Sequence, residues 1–265
     1  MDKKFVTNQI LDHGMGSRVL KMINLFAYVE LLKREGKNYE YVHTPLSYEG
    51  FGKNFDNNQL PLYYHTSIQN NRDEYLKICK RWDDMFEYKG LTVNQIGEST
   101  LIPHIHPDFL GGDQYHCYNF TREIKELIIE KFNLQKKEKT KKNEINVHIR
   151  RGDVTNITNN DRWLSDEYYL NTLDYLKQKF PNSEIKIYTQ KKNFNKEKFS
   201  KYKVYYDDEI LDNEVWLNFM NSDILVIGKS SFSYSAGILC DGIVIYPSDG
   251  MFHPKLKDWK NIYEL

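Results

Sequence analysis

The chain has 265 residues, 40% apolar and 28% charged, enough to bury one large core or two modest ones. Lys+Arg and Asp+Glu both number 37, so the formal net charge is zero, without the basic excess that marks a nucleic-acid-binding protein. Three widely spaced cysteines (Cys79, Cys117, Cys240) give neither a disulfide framework nor a Cys-x-x-Cys pair, and no apolar run approaches the ~20 residues that span a bilayer. With no signal-peptide core in "MDKKFVTNQIL", the expectation is a cytoplasmic protein in a reducing compartment.

In chain order, "FVTNQIL" reads as a strand, and "DHGMGS" as the turn into a long helix, "RVLKMINLFAYVELLKREG", ended by Gly36. "YEYVHT" completes a βαβ unit, and residues 44–120 are tyrosine- and asparagine-rich connections without a clear period. "TREIKELIIEKFNL" has helical spacing with Thr121 as cap, and the lysine-rich "QKKEKTKKNE" after it reads as a solvated joint. From residue 144 the strands "INVHIR", "EIKIYTQ", "YKVYY", "DILVIG" and "GIVIYP" alternate with the helices "SDEYYLNTLDYLKQKF", "LDNEVWLNFMNS" and "SFSYSAGILC". β-branched residues on both strand faces point to a parallel sheet covered on both sides. The expected fold is α/β: two Rossmann-like lobes, 1–140 and 141–265, with a cleft between them and a doubly wound parallel sheet in the second.

In "INVHIRRGD", alternation places Asn146, His148 and Arg150 on one strand face, delivering histidine and arginine to the C-terminal edge where open α/β sheets bind ligands. A guanidinium fork matches phosphate geometry, and Asp153 can hold one arginine in place. In "NSDILVIGKSSFSYSAGIL", Gly228 opens a turn, and Ser230 or Ser231 caps a helix whose free N–H groups form an anion site with Lys229. A P-loop needs a glycine five residues before its Gly-Lys pair, and Asp223 stands there instead. Asp223 itself either reads a guanine edge or satisfies neighbouring backbone donors. Gly14 and Gly16 allow close backbone approach to a ligand, with Arg18 adding charge, although Val19 breaks the dinucleotide fingerprint. His104, His106, His116 and Cys117 match no common zinc spacing, and the expectation is no metal.

These stretches resemble the α1,2/α1,6-fucosyltransferase superfamily. The His-x-Arg-Arg-x-Asp motif is met by His148, Arg150, Arg151 and Asp153, and the Ser-Asp, apolar strand and serine-rich segment by Asp223 and Ser230 to Ser233. The resemblance covers residues 145–247 and, weakly, the N-terminal glycine loop. It implies the two-lobe GT-B architecture and an inverting, metal-independent transfer of fucose from GDP-β-L-fucose to a glycan acceptor, with no cofactor required. By that resemblance Arg150 clamps the diphosphate with His148 nearby, Arg151 and Asp153 shape the donor pocket, and Asp223 reads guanine. Ser230 and Ser231 would bind phosphate oxygens, and Gly14 and Gly16 approach from the other lobe. Two departures stand out. Gln190 and Lys191 replace the aspartate pair many members carry, and no glutamate follows the arginines, leaving Asp12, His13 and Asp161 as base candidates. Another nucleotide sugar on the same fold, or a non-catalytic nucleotide- or carbohydrate-binding protein, are the alternatives.

Overall fold

A computed structural model describes residues 2–8, 14–48, 72–97, 100–104, 120–138 and 143–265, with only the backbone at 72 and 102–104. The chain divides into two compact units, Met1–Gln135 and Lys136–Leu265, five residues before the expected boundary.

The first unit contains strand β1 (Lys4–Asn8), helix α1 (Met15–Arg34), strand β2 (Tyr39–Tyr41), helices α2 (Arg72–Met85) and α3 (Val93–Ile96), strand β3 (Leu101–His104) and helix α4 (Arg122–Lys131). Its sheet runs β2-β1-β3, all parallel. Helix α1 starts at Met15, three residues before the expected Arg18, with Gly14 at its N-cap. Thr121 caps α4 as anticipated, its hydroxyl accepting from Ile124 N. Buried aromatics from separate elements meet edge to face: Phe26 lies 5.4 Å from Tyr41 and 5.5 Å from Phe132. Such contacts favour one packing of these layers over its alternatives.

The second unit holds β4 (Glu144–Ile149), α5 (Asp166–Lys179), β5 (Glu184–Thr189), β6 (Lys203–Tyr206), α6 (Asp212–Met220), β7 (Ile224–Val226), α7 (Ser231–Leu239) and β8 (Ile243–Ile245). Every strand expected from the sequence is present, and all five run parallel in the order β6-β5-β4-β7-β8. The order grows outward from β4 in both directions, so right-handed crossovers place helices on both faces. Strand alternation sets what each face buries. Ile145, Val147 and Ile149 pack with Tyr169, Leu173 and Leu176 of α5. Asn146 and His148 face the other layer, where Asn146 Nδ2 donates to Ser222 Oγ at 2.9 Å and His148 lies 5.5 Å from Phe219 of α6.

Candidate functional site

Between β4 and β7 the order of strands reverses, and the chain leaves both in opposite directions. Ligands of open α/β sheets bind at such a point, outside the strands' carboxyl ends. Here it receives His148, Arg150 and the turn from Gly228 to Ser231. The approach is close: a Cβ on Gly228 would fall 2.9 Å from His148 O and 3.4 Å from Arg150 N. Only glycine lets the β7 exit lie against the β4 exit.

Ser230 caps α7, accepting from Phe232 N at 3.3 Å, and Ser231 Oγ lies 2.8 Å from His253 Nε2. Lys229, expected to add charge to the helix tip, instead donates to Asp249 at 2.8 Å, so its ammonium is already matched. His148 is buried, its Nδ1 2.8 Å from Ser233 Oγ. Burial, with repulsion from Arg150 and Arg151, pulls its pKa down to about 3, so the imidazole is neutral at physiological pH. A neutral ring can offer a hydrogen bond to a ligand without adding charge.

The two arginines have different surroundings. Arg151 is fully buried: it donates to Asp166 at 2.6 Å and to the Arg150 carbonyl at 2.8 Å, and lies 3.8 Å over the Trp163 ring. Those contacts make it the internal brace of the turn. Arg150 is mostly buried and paired with Asp153. Burial and the neighbouring Arg162 work against its charge, while Asp153 and Asp207 offset them. A guanidinium stays protonated, so this environment favours a further anion.

Residues beside the motif hold the turn in shape. Gly152 adopts φ +78° with Gln190 packed on it, and Gln190 Oε1 accepts from Arg151 N at 3.2 Å. Asn193 Nδ2 donates to Gly152 O at 2.7 Å, and Thr189 Oγ1 to Ile149 O at 2.8 Å. Gln190, read from sequence only as a departure, thus serves the arginine turn directly. Its role depends on a contact 39 positions distant that no local pattern reveals.

Two expectations need correction. Asp223 precedes β7 at the opposite edge of the sheet, where its carboxylate accepts from Glu144 N at 2.9 Å. In a parallel sheet the residue before a strand lies a strand's length from the residues after it, so Asp223 satisfies the backbone and lies away from the strands' carboxyl ends. Arg18 is buried, bonded to Tyr75 OH and, at 3.3 Å each, to Cys79 Sγ and Leu46 O, and is no free cation. Gly14 and Gly16 lie at the start of α1 in the first unit. Asp161 is exposed, in the 3-10 turn Asn160–Arg162. Asp12, His13, His106, His116 and Cys117 fall outside the described residues, as does the side chain of His104. Among the described residues, no three His, Cys, Asp or Glu side chains gather as metal ligands, and no helix is long and apolar enough to cross a membrane.

No protein-family model matches the chain, and no curated protein does. Among solved structures it is similar to the E. coli heptosyltransferase WaaC with ADP-2-deoxy-2-fluoro heptose, at 11% identity and TM-score 0.41 over 97% of this chain and 92% of that one. It is also similar to the E. coli heptosyltransferase WaaC with ADP, at 10% identity and TM-score 0.39 over 97% and 91%. At that level the likeness decides no reaction, and the residues at the sheet edge must carry the functional reading.

Proposed function

We propose that the protein is a glycosyltransferase acting on a nucleoside-diphosphate sugar, with GDP-β-L-fucose as donor and a glycan hydroxyl as acceptor. The observation that supports this reading is the meeting of the Arg150 turn and the serine-capped tip of α7 at one point of strand reversal. Bond cleavage at the sugar leaves negative charge on the diphosphate. A guanidinium and oriented N–H groups already in place stabilise that charge without reorganisation, and their chemistry requires no divalent ion.

Within this reading Arg150 grips the diphosphate and neutral His148 supplies a hydrogen bond beside it. Arg151, Asp153 and Gln190 fix the turn, and Ser230 and Ser231 present the helix tip. The fucosyl donor rests on the resemblance of His148, Arg150, Arg151 and Asp153 to the superfamily motif. Inversion requires a base on the acceptor hydroxyl, for which Asp161, Asp12 and His13 are the candidates. With Asp223 at the far edge, recognition of the base falls to other residues.

The test is a thermal-shift series with GDP, UDP, CDP and ADP, followed by GDP release from GDP-fucose over an acceptor panel with and without EDTA. GDP should stabilise most strongly, and turnover should survive the chelator. Stabilisation by UDP or ADP alone would reassign the donor. Tight GDP binding with no turnover on any acceptor would make this a binding protein.

A further inference from the structure

Arg162 closes the 3-10 turn Asn160–Arg162, which begins at Asn159 in the left-handed conformation (φ 53°). The Asn159 amide donates to the Asp153 carbonyl at 3.1 Å, tying this turn to the arginine loop. From there Arg162 reaches over the Phe252 ring, 5.2 Å from its centroid. Phe252 lies 4.3 Å from the His253 ring, and His253 bonds to Ser231 at the tip of α7. These contacts link Arg162, through Phe252 and His253, to Ser231 at the helix tip. The Arg162 charge is felt by Arg150, which it repels.

The two guanidiniums are unequally matched. Arg150 has Asp153, whereas among the described residues no carboxylate pairs with Arg162. Phe252 is 45% exposed, so the ring that seats the Arg162 guanidinium is open to solvent. A flat cation on an aromatic face keeps its N–H edge free for an anion.

We propose that Arg162, seated on Phe252, is the second arm of the diphosphate grip, facing Arg150 across the phosphates. The proposal rests on the nucleotide-sugar reading and adds to it a residue outside the His-x-Arg-Arg-x-Asp motif. A diphosphate bridging both arginines removes the repulsion between them and gives Arg162 the anion that no described carboxylate provides.

The experiment is calorimetric titration of the full chain with inorganic pyrophosphate, GDP and guanosine at fixed ionic strength. The proteins compared are wild type, Arg162→Met, Arg162→Lys and Arg150→Ala. Arg162→Met keeps the stem over the ring and removes the charge. It should weaken pyrophosphate and GDP by about 10- to 100-fold while leaving guanosine unchanged, with Arg162→Lys recovering part of the loss. Pyrophosphate affinity unchanged in Arg162→Met but lost in Arg150→Ala overturns the second arm and leaves the nucleotide reading intact. A wild-type protein that binds neither pyrophosphate nor GDP overturns both.

Discussion

At the scale of single residues, the buried histidines His43 and His148 have a measurable consequence. Burial lowers the pKa of His43 to about 4, and burial with the adjacent arginines lowers that of His148 to about 3. Each refuses a proton in the folded chain that it accepts near pH 6.5 once unfolded. The unfolded state therefore binds more protons below that pH, and folding stability must fall as the solution is acidified. Each histidine contributes a slope approaching ~1.4 kcal/mol per pH unit until its own folded pKa is reached. Urea midpoints measured from about pH 8 to about pH 5 should drop for wild type and drop less steeply for His148→Gln. Parallel curves for the two proteins would mean that His148 is protonated in the fold. Residue roles were legible in unequal degree. The placement of His148 and Arg150 at the end of a strand was evident from a histidine and two arginines closing an apolar run. The difference between Arg150 and Arg151 was not, because it depends on Asp166 and Trp163, which approach only once α5 has docked. Arg18 was misread for the same reason: its partner Tyr75 is 57 positions away.

At the scale of elements, glycines mark both edges of the sheet, the carboxyl edge where the anion grip is proposed and the opposite one. A Cβ at Gly228 would meet the backbone of β4 at the His148 carbonyl, and one at Gly242 would collide with Ser222 O, beside Asp223. Neither neighbour is a side-chain end that can swing aside, so both alanine substitutions should destabilise the fold by about 1–3 kcal/mol or more. Their effects on binding should diverge. Gly228→Ala pushes the α7 tip away from Arg150 and should weaken GDP binding of the folded protein. Gly242→Ala acts at the far edge and should leave that affinity unchanged. Chemical-denaturation midpoints and GDP titrations of both variants provide the check, and equal affinity losses would contradict the placement of the site. The five strands of this unit could be read from sequence because each is a short run rich in β-branched or aromatic residues bounded by turn residues. In the first unit "YEYVHT" marks β2, whereas β3, four residues long, lies in the stretch without a clear period and carries none of its own. Asp223 shows the complementary failure: its neighbours marked a strand, but the direction of that strand decides which edge it occupies.

At the scale of the whole molecule, the chain separates at Gln135 and Lys136 into units that each contain a parallel sheet. Every described residue assigned to the anion grip lies in the second, from His148 through Arg162 to Ser231 and Phe252. That unit has its own core, with Ile145, Val147, Leu173, Ile187 and Val226 buried together, and its 130 residues fall within the usual size of an independent domain. A fragment spanning 136–265 should therefore unfold cooperatively in urea and bind inorganic pyrophosphate with nearly the affinity of the full chain. It should turn over no donor, since transfer requires an acceptor held in place and a base, and two of the three base candidates, Asp12 and His13, belong to the first unit. Cooperative unfolding without pyrophosphate binding would show that the first unit contributes directly to the grip. Gly14 and Gly16, the glycines at the start of α1, would then be the positions to substitute next.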